Sequence, residues 1–244
     1  MRYAVLSDVH ANREAFAAVL EKISELDIDK VLYLGDIVGY NPDPNFCIER
    51  LFSLTSVMVR GNHDKAVAGL ISTEYFNDVA EAAVRWTRRQ LTAGNLTRMR
   101  NLKVGPLEVG NGLVICHGAP RDEDEYIFQR TVARENFDFL AEHLPGTKVC
   151  FFGHTHVPMI IDEEGGVVLA VEEFRLEADR RYLINPGSVG QPRDGCSGAS
   201  WGIYDDREHS FRHIRVSYPL AETQRKIMAA GLPDFLAARL FAGR

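Results

Sequence analysis

Five short polar clusters hold the residues of this chain that are able to do chemistry: Asp8-Val9-His10, Gly35-Asp36, Gly61-Asn62-His63-Asp64, Cys116-His117-Gly118 and Gly153-His154-Thr155-His156. Their carboxylate, imidazole and amide groups are enough to hold two metal ions. Oxygen and nitrogen donors without thiolate suit Mn²⁺, Fe, Zn²⁺, Ni²⁺ or Co²⁺, and ligand type alone does not choose among these. Alternate residues of an extended segment project to one side, so Asp8 and His10 are expected to bind one ion together. His154 and His156 share that spacing and fit either a common ion or a split between two. Asp36, as a carboxylate, is able to bridge two cations and offset their repulsion. A single histidine or aspartate at a strand end is more simply a cap or a surface residue. Five such clusters in order along one chain are hard to reconcile with that reading.

Each cluster follows an apolar run of strand type, which dictates how the donors are positioned. Residues 3–7 lead to Asp8, and Phe16, Leu20, Ile23 and Leu26 recur at helical spacing over residues 13–26. Residues 31–34 precede Gly35-Asp36, a helix is expected after Pro42, and residues 57–59 read as a third strand ahead of Gly61. Alternating strands and helices imply right-handed crossovers and parallel strands, at whose carboxyl ends ligands collect. From about residue 65 to 100 the pattern is helical, with Val79, Ala82, Ala83, Trp86 and Leu91 as its buried face. Strands at 104–109 and 113–116 meet at Gly110-Asn111-Gly112, which tolerates positive φ and suits a tight hairpin. A helix at roughly 133–143 and a strand at 149–152 deliver His154 and His156. Strands are then expected at 159–162, 167–171, 182–184, 200–205 and 209–216, and a helical tail from Leu220 that breaks near Gly231-Leu232-Pro233.

At 244 residues and 45% hydrophobic content the chain is able to bury a full core. It reads as one domain over residues 1–244, with a helical insertion at about 65–100. A net charge of -6, from 28 Lys+Arg against 34 Asp+Glu, argues against the basic footprint of general nucleic-acid binding. No apolar leader precedes Asp8, and no stretch approaches the ~18 apolar residues of a membrane span. A cytoplasmic location and no membrane partner are therefore expected. Cys47, Cys116, Cys150 and Cys196 form no CxxC pair, and Cys116 and Cys150 lie in apolar runs where a thiol packs as a small hydrophobe.

The ordered set DVH, GDIVG, GNHD, CHG and GHTH, from Asp8 to His156, resembles the calcineurin-like metallophosphoesterase superfamily. The later run Asn185-Pro186-Gly187-Ser188-Val189-Gly190, with Pro192-Arg193, resembles a segment of its small bacterial and archaeal phosphodiesterase-like members. The resemblance implies an α/β fold, a four-layer αββα sandwich with two mixed β-sheets around the metal site. It assigns Asp8, His10, Asp36 and His156 to a first metal ion, and Asp36, Asn62, His117 and His154 to a second, with Asp36 bridging. Two divalent transition-metal ions are the implied cofactors, Mn²⁺ first among the candidates. The implied reaction is hydrolysis of a small phosphorylated substrate by a hydroxide shared between ions ~3.5 to 4 Å apart. His63 is the implied general acid, with Asp64 orienting its ring and favouring the imidazolium.

Protein phosphatases and dinucleotide tetraphosphatases that share these motifs follow GD with a segment ending in Asp/Asn-Arg-Gly, whose arginine fork binds phosphate. Residues 35–42 here contain no arginine, a loss that weakens recognition of a dianionic monoester more than of a diester monoanion. A phosphodiesterase is thus favoured over a monoesterase. Arg193 is a candidate substrate ligand, as is Asn12, although Asn12 is more simply the N-cap of the first helix. Arg85, Arg88 and Arg89 read as a solvated helix face, and residues 185–190 as a turn that needs glycine. The competing readings are a monoester or dinucleotide polyphosphate phosphatase, and a scaffold or ligand sensor of the same fold without turnover. The intact GNHD argues against the scaffold.

Overall fold

The first apolar run divides its side chains between two cores: Ala4 and Leu6 pack against helices, whereas Tyr3 and Val5 meet a second sheet. The computed structural model describes residues 1–169 and 172–244 and repeats that division in the other central strands. Its first half contains β1 (Arg2–Leu6), α1 (Arg13–Ser24), β2 (Lys30–Tyr33), α2 (Pro44–Leu54), α3 (Asn62–Ala68), α4 (Asp78–Gln90) and α5 (Ala93–Arg100). β3 (Leu107–Gly110), β4 (Leu113–Ile115), α6 (Arg130–His143), β5 (Val149–Phe151), β6 (Met159–Asp162), β7 (Val167–Leu169) and β8 (Glu173–Arg175) follow. The chain continues through β9 (Tyr182–Asn185), β10 (Ala199–Asp205), β11 (Ser210–Val216), α7 (Leu220–Ala229) and α8 (Asp234–Ala242).

One sheet has the order β2-β1-β10-β11-β8 and the other β3-β4-β5-β9-β6-β7. Both are mixed: β1 runs parallel to β2 and antiparallel to β10, and β5 lies parallel to β4 and β9 while β6 opposes β9. Phe16 and Val19 of α1, with Ile48 and Leu51 of α2, cover the outer face of the first sheet. Ala133, Phe137 and Leu140 of α6 cover the outer face of the second. Between the sheets Val5 and Leu32 meet Ile115, Phe151 and Ile184. This is the expected four-layer αββα sandwich. Burial on both faces is why its central strands read as continuous apolar runs instead of alternating ones. No helix among the described residues is long and apolar enough to cross a membrane.

Several expectations change in detail. Residues 57–59 make only isolated bridges, Tyr33 to Met58 and Val59 to Lys103, because so short a run turns into α3 before a ladder can grow. The helical stretch after residue 65 is interrupted where Gly69, at φ +77°, caps α3, and no helix resumes until Asp78. The buried face of α4 is Ala80, Ala83, Val84 and Thr87, one position round from the expected one, with Ala82 exposed. Trp86 stays at the core's edge, where its indole N–H reaches the Ala230 carbonyl at 3.0 Å. β8 is a short edge strand with a single apolar residue, Phe174, between two charges, too short to register as an apolar run in the sequence. Ala170 and Val171, the end of the strand expected at 167–171, lie outside the described residues.

Phe151 is fully buried between the sheets, two residues before the Gly153-His154 cluster. Phe151→Ala is expected to destabilise the fold by about 3–5 kcal/mol, read as a lower urea midpoint with an unchanged slope. A loss below about 1 kcal/mol contradicts this packing.

Candidate metal centre

Asp8, Asp36, His117 and His154 each follow the carboxyl end of a strand, β1, β2, β4 and β5 respectively, and Asn62 opens α3. The chain does not pass through the site extended. Asp8, His10, Asp36, His154 and His156 all take left-handed φ values between 47° and 64°. Asp8 and His10 therefore converge through a tight turn, and alternation along an extended segment is the wrong reason for their pairing. Left-handed backbone costs a non-glycine residue about 1–2 kcal/mol, so the surroundings must hold it. They do so by backbone hydrogen bonds, from Asp8 N–H to the Gly35 carbonyl (3.0 Å), His10 N–H to the Asp36 carbonyl (3.0 Å) and Gly190 N–H to the Asp8 carbonyl (2.9 Å).

Ring hydrogen bonds decide which nitrogen of each histidine is free. Nδ1–H of His10 donates to the Val38 carbonyl (2.9 Å), that of His117 to the Leu34 carbonyl (2.8 Å) and that of His156 to the Gln191 carbonyl (2.6 Å). A carbonyl only accepts, so each neutral ring keeps its proton on Nδ1 and presents a lone pair from Nε2. His154 is reversed: its Nε2–H donates to the Asp124 carbonyl (3.1 Å), which frees Nδ1.

These lone pairs converge. Nε2 of His10 and Nε2 of His156 lie 3.1 Å apart, and they are 3.8 and 3.2 Å from Asp8 Oδ1. Nε2 of His117 is 3.2 Å from Asn62 Oδ1 and 3.5 Å from Asp36 Oδ2, which is itself 3.6 Å from His10 Nε2. Asp36 Oδ1 is engaged by the His63 N–H at 2.9 Å, so Oδ2 is the oxygen common to both groups. Donor atoms of Asp8, His10 and His156 lie within 4.8 Å of one another, as do those of Asp36, His117 and His154. His154 and His156 are thus divided between two groups. His63 also comes within that distance of His10 and Asp36.

The electrostatics of this arrangement are unbalanced without cations. Burial pushes the imidazoles of His10, His63, His117 and His154 below their ordinary range, and burial with the nearby Arg193 brings His156 to about 4. Neutral rings leave the facing Nε2 atoms of His10 and His156 with no proton to share. Burial, then the charges of Asp64 and Asp8, drives the Asp36 carboxyl far up. Burial also works to raise Asp8, but His156, His117 and the Ser7 hydroxyl outweigh it and hold it far down. Asp8 Oδ1 is buried with no hydrogen-bond donor. Among the described residues, the ion-pair partners of Asp8 and Asp36 are these histidines alone. Converging nitrogen lone pairs and buried carboxylate oxygens fit divalent cations, whose charge would hold the Asp36 carboxyl ionised against its burial.

Asp64 does not meet the His63 ring, contrary to expectation. Its Oδ2 accepts the N–H groups of Asp36 (2.9 Å) and Gly61 (3.0 Å), and its Oδ1 those of Ile37 (2.9 Å) and Val38 (3.3 Å). It ties the loop after β2 to α3, and burial raises it to about 7 against those four donors. His63 Nδ1 is buried without a partner, packed over Gly39, where a Cβ would sit 2.6 Å from it. A Cβ on Gly61 would sit 2.1 Å from Asp36 Oδ1. The glycines of GDIVG and GNHD therefore make room for the His63 ring and the Asp36 carboxylate.

Asn12 is a cap and does not reach the site. Its Oδ1 accepts the Ala15 N–H (3.1 Å), its Nδ2 donates to the Gly190 carbonyl (2.9 Å), and the residue is fully buried. Arg193 does face the site, lining a cavity of about 680 Å³ beside Asp36, Asn62, His63, His154 and His156. Its Nη2 reaches Gln191 Oε1 (3.1 Å) and the Tyr40 hydroxyl (3.4 Å). Arg85, Arg88 and Arg89 do not line this cavity; Arg88 Nε binds the Val67 carbonyl (3.1 Å) and Arg85 pairs with Glu81.

Residues 185–191 do more than turn the chain. Ser188 Oγ donates to the Asp8 carbonyl (2.8 Å), Asn185 Nδ2 to the Gly153 carbonyl (2.7 Å), and the Gln191 carbonyl holds the His156 ring. Sequence reasoning also missed Tyr126, whose ring stacks on His154 with centroids 3.8 Å apart.

Residues 1–206 match the family described as the calcineurin-like phosphoesterase superfamily domain. The chain belongs to that superfamily, whose members are metal-dependent phosphoesterases. It is 38% identical to an uncharacterised protein of Methanocaldococcus jannaschii over 99% of this chain and 98% of that one. The crystal structure of a metallophosphoesterase from Sphaerobacter thermophilus superposes with a TM-score of 0.86 at 38% identity, covering 100% of this chain and 99% of the other. A hypothetical protein of Pyrococcus horikoshii shares the fold, with a TM-score of 0.81 at 21% identity over 100% and 98% of the two chains.

Because Asp36 Oδ2 faces both donor groups, Asp36→Asn is expected to lose bound metal as well as turnover. Metal content per folded chain, measured by elemental analysis after Mn²⁺ loading, checks this. Retention of two ions with near wild-type activity rules out the shared position.

Proposed function

We propose that this protein hydrolyses small phosphodiesters at a centre of two divalent metal ions. Asp8, His10, Asp36 and His156 would hold one ion, and Asp36, Asn62, His117 and His154 the other. Bound there, such ions polarise phosphoryl oxygens and lower the pKa of coordinated water. The observation that carries the diester reading is the charge of the cavity wall. Among the described residues lining it, Arg193 is the single lysine or arginine, and the carboxylate of Asp124 is already paired with Lys65 at 2.6 Å. One guanidinium matches a diester monoanion better than a monoester dianion.

His63 supplies the proton for the departing alkoxide. Its Nδ1 is packed over Gly39, which leaves Nε2 as the nitrogen to give it. Burial and Arg193 keep the ring neutral in the free protein, so the proton is taken up with the substrate, whose negative charge favours the imidazolium. Asp64 acts at one remove by fixing the loop that carries Asp36 and Gly39. Arg193 orients the phosphate from the cavity wall.

His63→Ala is expected to keep its metals and lose roughly 10²- to 10⁴-fold in kcat, with a smaller loss for good leaving groups such as nitrophenolate. Equal losses across leaving groups restrict His63 to positioning. The wild-type protein is expected to show a higher kcat/KM for bis(p-nitrophenyl) phosphate than for p-nitrophenyl phosphate. Efficient turnover of phosphopeptides with the diester untouched moves it to the monoesterase branch.

A further inference from the structure

Asp36, Asn62, His154 and His156 supply only part of the cavity lining. At about 680 Å³ the space is of the size that encloses a drug-sized ligand, so most of it belongs to the organic part of the substrate. The wall of that part is aromatic. Tyr126 lies over His154, with centroids 3.8 Å apart and planes 27° from parallel, and is still 44% exposed. Phe128 runs parallel to it, 5.7 Å between centroids at 8°, and is 62% exposed. From the segment between α3 and α4, Ile71, Tyr75 and Phe76 line the same cavity, and Tyr75 is 95% exposed.

Exposed aromatic rings gathered at one mouth are unfavourable in water unless a ligand covers them. The Asp124 carboxylate on that wall is held by Lys65, whose Nζ lies 2.6 Å from both of its oxygens, which leaves the aromatic rings as the wall's largest free surface. Tyr126 covers His154 with one face, so a flat ring on its other face, beside the offset Phe128, would lie one stacking layer beyond a histidine of the reaction centre.

Resting on the hydrolase reading above, we propose that an ester group of the substrate carries a planar aromatic ring, nucleobase or aryl, that stacks on Tyr126 with Tyr75 at its outer edge. Tyr126 then selects substrates by stacking, and Arg193 by charge.

Calorimetric titration of the Mn²⁺-loaded protein tests this with two matched pairs of probes: adenosine 5′-monophosphate against ribose 5-phosphate, and phenyl phosphate against methyl phosphate. Within each pair the phosphate is the same and the ring alone differs. The aromatic member is expected to bind about tenfold more tightly, the usual scale for one stacked ring. An advantage in the first pair alone identifies a nucleobase site, and one in the phenyl pair an aryl site. Tyr126→Leu is expected to erase the ratio, Tyr126→Phe to keep it, and Tyr75→Leu, which touches no histidine of the centre, to reduce it. Metal content measured on each variant separates stacking from loss of ions. Equal affinities within both pairs, or a ratio that survives Tyr126→Leu, overturns the proposal. Equal affinities with hydrolysis intact leave the hydrolase reading standing, whereas a preserved ratio without any hydrolysis sinks that reading and leaves the stacking site.

Discussion

The structure depends on holding carboxylate and imidazole donors together where water cannot screen them. Asp8 Oδ1, Asp36 Oδ2 and the lone-pair nitrogens of His10 and His156 crowd within 3.1–3.8 Å of their neighbours, in a region that is almost wholly buried. Left to itself such a cluster is repulsive, and the opposing displacements of the Asp8 and Asp36 carboxyls record the conflict. Divalent cations would resolve it by taking the nitrogen lone pairs and holding both carboxylates ionised.

The rest of the architecture keeps that cluster from relaxing. Two sheets packed face to face deliver four strand ends to one edge, and the interior between them is too well filled for the strands to slide. Asp64, spending both oxygens on backbone N–H groups, locks the loop after β2 onto α3. Residues 185–191 brace the Asp8 turn, the Gly153 turn and the His156 ring at once. Five residues in left-handed conformation are the local cost of this bracing. The cluster on α4, α7 and α8 lies outside the sandwich and carries, through Ala80, part of the cavity wall.

The donor set and the sandwich were legible in the sequence for the same reason: buried strands write continuous apolar runs, and each run here stops at a polar residue with a use. Exact geometry was not. The left-handed turns at Asp8 and His10 leave no trace in a pattern that scores only polarity, so an extended reading pairs two residues that converge by another route. Asp64 looked like a partner for His63 because they are adjacent, but in the first turn of α3 its carboxylate turns back to unsatisfied N–H groups. The bracing role of Ser188 and Gln191 depends on contacts with residues about 180 and 35 positions away, which periodicity cannot carry. Tyr126 sits in a loop with no regular spacing at all, and only the fold places it over His154.

The central claim is that one carboxylate oxygen organises two ions. Anomalous diffraction from crystals of the Mn²⁺-loaded protein measures this directly. The expected map has two peaks ~3.5 to 4 Å apart, both bound by Asp36 Oδ2, one also by Asp8, His10 and His156 and the other by Asn62, His117 and His154. A single peak, or two that do not share Asp36, contradicts the account.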